Sequence, residues 1–197
     1  LVLEVINTAK AATGFHSIAV INREQNLGLY DSLTLGITEA LKEFDSVLVF
    51  EDDILTSPHA ISYLLDGLAI YRSSRNVASI HAWTPPIRDI LPETFFLRGA
   101  DCWGWATWRD QWSNYRHDAG NMAREIKSMG LVNEFNLNGG YDYYQMLRDR
   151  ANNINNSWAI CWMASCFILH KFTLHPGRSL VNNIGLDYSG EHCGPAP

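Results

Sequence analysis

The sequence is short of charge, of paired cysteines and of long apolar runs, and each shortage removes a class of protein. Charged residues make up 18% of its 197 residues and hydrophobic ones 47%, so it can fill a core and is not of the disordered type. Basic residues are outnumbered: 15 Lys and Arg against 21 Asp and Glu give a formal net charge of −6. A general nucleic-acid binder needs a basic face, and this balance argues against one. No apolar run approaches the roughly 20 residues that cross a bilayer, and neither a transmembrane segment nor a secretory leader is expected. Cys102, Cys161, Cys166 and Cys193 form no C-x-x-C pair, which excludes zinc-finger and dithiol motifs. Scattered thiols point to a reducing compartment. The expectation is a cytoplasmic protein, with peripheral attachment to the inner face of a membrane left open.

What is present begins with alternation. Residues 1–12 read as the end of a helix closed by Gly14, and "HSIAVIN" (16–22) as a short buried strand. From Tyr30 to Phe44, the residues Leu33, Ile37, Ala40, Leu41 and Phe44 share one helical face. "VLVF" (47–50) lacks polar alternation, the pattern of a central parallel strand covered on both faces. Ser57 and Pro58 then suit an N-cap and a first helical position, with Ile61, Leu64, Leu65, Leu68 and Ala69 as a core-facing stripe. "VASIHAW" (77–83) reads as the next strand. This order predicts an α/β layer with parallel pairing. The second half is irregular and aromatic, with one clear helix around 141–151, and no linker divides 1–197 into more than one domain.

Directly after "VLVF" stand Glu51, Asp52 and Asp53. Three adjacent carboxylates repel one another unless a cation lies among them. In open parallel sheets, ligands bind beyond the carboxyl ends of strands. Hard oxygen donors at such a place suit Mg²⁺ or Mn²⁺ with coordination positions left for phosphates. The plainer reading is a solvated acidic turn before a helix.

The stretches "REQNLGL" (23–29), "VFEDDILTSP" (49–58), "LPETFFLRGADCWGWATW" (91–108), "NSWAICW" (156–162) and "HPGRSLVNNIGLDYSGEH" (175–192) occur in this order along the chain. Together they resemble nucleotide-sugar-dependent glycosyltransferases of the GT-A fold, in wider pattern the bacterial family 2-like sugar transferases. The "EDD" variant is similar to that of N-acetylglucosaminyltransferase I. The resemblance implies a mostly parallel, Rossmann-like sheet with flanking helices and an aromatic-rich acceptor half. Its usual first strand is missing ahead of Leu1, which reads as an N-terminally truncated fragment. It also implies inverting transfer from a nucleoside diphosphate-sugar to a glycan or other hydroxyl acceptor, with Mn or Mg.

Carried over by position, Asp53 becomes the direct metal ligand and His192 a late one. Asp52 meets the ribose or a metal-bound water, and Glu51 faces the nucleotide or a neighbouring strand. Arg23, Asn26 and Gly28 fall on the donor side, although a local glycine turn held by Asn26 explains them equally. Trp103, Trp105 and Trp158 become acceptor contacts, while Trp108 and Trp112 go to the core. Trp105, Trp108 and Trp112 also fit one helical face. Asn156 and Ser157 stand where the family carries a catalytic carboxylate, and Cys161 where an arginine is expected. Asp142, then Asp101, are the remaining candidates for the base, and each also fits a helix cap or a surface acid. Two competing readings are a catalytically impaired carbohydrate- or nucleotide-binding domain and a Mg²⁺-dependent phosphohydrolase.

Overall fold

A computed structural model describes residues 2–85, 87 and 89–185. The first half contains α1 (Val2–Ala11), α2 (Gly28–Glu43), β1 (Ser46–Val49), β2 (Ile54–Thr56), α3 (Ala60–Tyr71), β3 (Val77–His81), β4 (Thr94–Arg98) and β5 (Trp105–Trp108). The second contains α4 (Arg109–Trp112), α5 (Ala119–Ser128), α6 (Val132–Phe135), α7 (Tyr143–Ala151), α8 (Ala159–Ile168), β6 (Phe172–Pro176) and β7 (Val181–Asn183). Among the described residues no helix is long and apolar enough to cross a membrane.

The fold is α/β, but its sheet is mixed rather than mostly parallel. Five strands lie in the order β1-β5-β3-β6-β4. Only β3 and β6 pair in parallel; β1–β5, β3–β5 and β4–β6 are antiparallel. The alternation of strands and helices concealed β5, which enters from the irregular half and wedges between β1 and β3. Two antiparallel steps restore direction, so β1, β3 and β6 still point the same way. Their carboxyl ends therefore meet at one end of the sheet, where β4 and β5 begin. A separate antiparallel pair, β2 with β7, lies beside that end.

"VLVF" is thus an edge strand and not a central one. Its strand residues are half-buried and paired only to β5. The stretch 16–22 forms no strand: Ile18 is 41% exposed and Ile21 70%. Its apolar residues have no sheet neighbour to cover them. α3 begins at Ala60, two residues later than the Ser57–Pro58 signal implies. Ser57 Oγ instead accepts the His59 N–H at 3.3 Å within the preceding turn.

Two apolar layers sandwich the sheet. On one face α3 supplies Leu64 and Leu68, which meet Ile80, Ala106 and Trp108. On the other, α2, α5, α7 and α8 gather around Trp105 and Trp162. α3 comes very close to the sheet: a Cβ on Gly67 would stand 2.7 Å from Cγ2 of Ile80. α8 is buried from Ile160 to Ile168 without a polar face, as a central helix must be.

Candidate functional site

The acids lie where the carboxyl ends of the strands converge. The chain turns after β1, and the Ile54 N–H donates to the Glu51 carbonyl at 3.2 Å. Glu51 and Asp53 are half-buried by this turn and Asp52 is exposed. Burial pushes the Glu51 carboxyl up to about 7, helped by the charges of Asp53 and then Asp52, while the Trp158 indole pulls the other way. Near neutral pH this group therefore holds a proton about half the time.

Asp53 is clamped by the segment that follows β7. The Ile184 N–H donates to its carbonyl at 2.9 Å. A Cβ at Gly185 would stand 2.5 Å from Asp53 Oδ2, so a side chain there would have to displace this carboxylate. Asp53 Oδ1 is buried without a hydrogen-bond partner. A buried carboxylate oxygen left unpaired is costly, and a small hard cation would satisfy it. Among the described residues no three His, Cys, Asp or Glu side chains converge as a closed cage. The arrangement fits instead the mode in which Mg²⁺ or Mn²⁺ sits on one or two carboxylates and leaves room for phosphates. His192 lies outside the described residues.

The donor-side candidates form a local turn. Asn26 Oδ1 accepts the Gly28 N–H at 2.8 Å, and Gly28 adopts φ +75° at the start of α2. Half-buried Arg23 makes no ion pair or hydrogen bond among the described residues. The structure gives none of the three a contact with the acids.

The aromatic assignments divide. Trp103 is half-buried and packs edge-on against Trp83, with ring centroids 4.9 Å apart. Trp105 is not a sugar contact: it is 0% exposed, stacked on Trp158 at 5.6 Å and tilted against Trp112 and Trp162. Trp158, at 2% exposure, belongs to the same core and reaches Glu51 from beneath. The helical spacing misled because residues 105–108 form a strand. Its period of two sends Trp105 and Trp108 to opposite faces, into different layers of the core.

Beside Trp83 opens a cleft of about 180 Å³. Asp101, Tyr143, Met146, Met163 and His175 line it with Trp83. Asp101 is half-buried, and one of its oxygens accepts the Cys102 N–H at 2.8 Å. Burial and then the Asp101 charge raise the Tyr143 phenol, and the same charge acts on His81 and His175. Asp101 is the acid that this arrangement offers to a bound hydroxyl. Asp142 is exposed and occupied elsewhere: its Oδ1 accepts the Gln145 N–H at 3.0 Å and Asn136 Nδ2 at 2.9 Å, capping α7. Asn156 is exposed, and Ser157 Oγ accepts the Ile160 N–H at 3.3 Å at the start of α8.

Sequence reasoning missed Trp83, Tyr143 and His175 as neighbours. A histidine in "TLHPG" carries no local signal. It becomes visible only through the β3–β6 pairing, which sets it beside His81. No protein-family model matches the chain, and no curated protein matches it.

Proposed function

We propose that the chain is a glycosyltransferase of the GT-A type, moving a sugar from a nucleoside diphosphate donor to a hydroxyl acceptor with inversion. The observation that carries this reading is the pairing of a buried, unpartnered Asp53 oxygen with an aromatic cleft holding Asp101, both at the carboxyl ends of the strands. Asp53, with Asp52 beside it, would hold Mn²⁺ or Mg²⁺, an ion that neutralises charge on a leaving diphosphate. Glu51, whose carboxyl burial pushes up to about 7, limits the repulsion a phosphate meets. Trp83, backed edge-on by Trp103, forms the apolar wall against which a sugar ring packs. Asp101 takes the proton of the attacking hydroxyl as a general base.

Calorimetry of the chain with uridine and guanosine diphosphates, with and without Mn²⁺, tests the first half of this reading. Binding is expected only with Mn²⁺, and Asp53→Ala is expected to abolish it while the thermal transition persists. Undiminished Mn²⁺-dependent affinity in Asp53→Ala would remove the central assignment. A second reading, a binding domain without turnover, is favoured by Asn156 and Ser157 where the resemblance calls for a carboxylate. Donor binding without sugar transfer, unchanged by Asp101→Asn, would select it.

A further inference from the structure

Two imidazoles, His175 on the wall of the cleft and His81 behind it, share one hydrogen-bond acceptor. His81 Nδ1 lies 3.1 Å from the Trp83 carbonyl oxygen and His175 Nδ1 lies 3.0 Å from the same atom. The rings are 5.0 Å apart, brought together by the parallel pairing of β3 and β6. A carbonyl oxygen can only accept, so both Nδ1 atoms carry hydrogens. In a neutral ring that leaves Nε2 as a bare acceptor. The rings are 0% and 3% exposed, and burial keeps both below their ordinary basicity. His81 Nε2 is buried without a partner. His175 lines the cleft, and its Nε2 has no hydrogen-bond partner among the described residues.

Asp101 adds a second acceptor to the cleft, and the Tyr143 phenol, kept protonated by burial, is a donor of its own. Asp101 accepts the Cys102 N–H and also meets the Cys102 thiol. After burial, the charges of Asp101, Glu51 and Asp53 all push up the Cys102 thiol on the cleft wall, so the local field is negative. Arg98 also borders the cleft, but its charge is paired with Glu134 and three of its five N–H donors are engaged. Nε and Nη2 point to the Phe167 carbonyl at 3.3 and 3.0 Å, and Nη1 to Glu134. Its guanidinium lies over the Phe167 ring at 4.0 Å.

We infer that this cleft binds a ligand that donates hydrogen bonds, a single uncharged or cationic polyhydroxylated ring, that His175 Nε2 reads one of its hydroxyls, and that anionic sugars are refused. Hydroxyl and ammonium groups supply the hydrogens that His175 and Asp101 lack. A carboxylate or phosphate supplies none and adds a charge to a negative site. Trp83 offers an apolar wall to the carbon face of the ring. The cleft, about 180 Å³, has room for one sugar ring. Naming this ligand the acceptor substrate rests on the transferase reading; its chemistry does not.

Saturation-transfer NMR and tryptophan fluorescence on the chain test this with methyl glucoside, glucosamine and glucuronate. The neutral and amino sugars are expected to bind and glucuronate is not. His175→Phe keeps a ring beside Phe95 but removes the acceptor, and is expected to weaken methyl glucoside about tenfold. His175→Gln, which restores an acceptor, is expected to recover part of the loss, and Asp101→Asn to admit glucuronate. Glucuronate binding as well as methyl glucoside to the unaltered chain would overturn the inference, whether or not the variants fold. So would methyl glucoside affinity unchanged in both His175 variants. Failure of every sugar while Mn²⁺–nucleoside diphosphate still binds overturns the cleft alone. Sugar binding without diphosphate binding overturns the transferase reading and leaves the cleft standing, and binding of neither overturns both.

Discussion

Trp103 and Trp108 lie five residues apart in sequence and in different physical situations. Trp108 is 2% exposed between Ala106 and the α3 layer, whereas Trp103 is half-buried and meets Trp83 by one edge. Trp108→Ala is therefore expected to cost about 3–5 kcal/mol, the usual range for deleting a buried large aromatic. Trp103→Ala is expected to cost much less stability while weakening methyl glucoside. Urea denaturation of both variants checks this, and equal losses would show that Trp103 belongs to the core as well. At this scale the sequence was readable where chemistry forces a residue's hand. Three acids after an apolar run have few explanations, and the structure puts them at the converging strand ends. Trp105 was misread because its spacing to Trp108 and Trp112 satisfies a helix, and nothing local announces that a strand intervenes.

Among the elements, α3 makes the sharpest demand on a single position. Gly67 lies within it, and alanine there would raise intrinsic helix propensity by about 1 kcal/mol. The methyl, however, would stand 2.7 Å from Ile80 Cγ2, and Ile80 is fully buried. Overpacking of this kind costs about 1–3 kcal/mol, so Gly67→Ala is expected to lower Tm despite its better helix former. Pairing it with Ile80→Ala is expected to make the two losses less than additive in a double-mutant cycle; strict additivity would show that the contact is absent. α2, β3 and α7 were legible from their apolar periodicity and lie close to the predicted ranges. α8 was not, because a helix buried from Ile160 to Ile168 has no polar face to mark a period. β1 was placed correctly but in the wrong neighbourhood: an uninterrupted apolar run says that a strand is buried, and here the run lies half-buried at an edge.

For the whole molecule, two buried sites set opposing responses to pH. His175 is held at about 4, first by burial and then by the charge of His81, against the Trp83 hydrogen bond and the Asp101 charge; His81 moves in the same direction. Both folded values lie below the unfolded one of about 6.5. The unfolded chain thus binds more protons between about 4 and 6.5, and this contribution to stability is full above 6.5 and lost on acidification. Glu51 runs the other way. Its folded value of about 7 exceeds the unfolded one of about 4.3, so its contribution is full below about 4.3 and lost as pH rises to 7. Melts in chelator are expected to show the unaltered chain losing stability on acidification from about 6.5 to about 4.5, since two imidazoles outweigh one carboxyl. Glu51→Gln should fall more steeply still, and His175→Gln, with His81 set against Glu51, should change little. Parallel profiles for all three would remove both assignments. The α/β class was legible in the alternation of the first half. The mixed sheet was not, since β5 is contributed by a segment whose aromatic content conceals its strand period.

The position of β5 also governs when the acids can act during folding. β1 joins the sheet only through β5, Ser46 opposite Trp108 and Val49 opposite Trp105. The chain must pass through α3, β3 and β4 before that partner exists, a long loop whose closure is entropically unfavourable and slow. Until then Glu51, Asp52 and Asp53 are ordinary solvated carboxylates on an unpaired segment. The clamp on Asp53 comes later still, from Ile184 and Gly185 near the far end of the described chain. A nascent chain emerging from the ribosome would therefore display all three acids long before the turn that half-buries them is in place, and on the proposed metal reading their grip on a cation would be one of the last properties to mature.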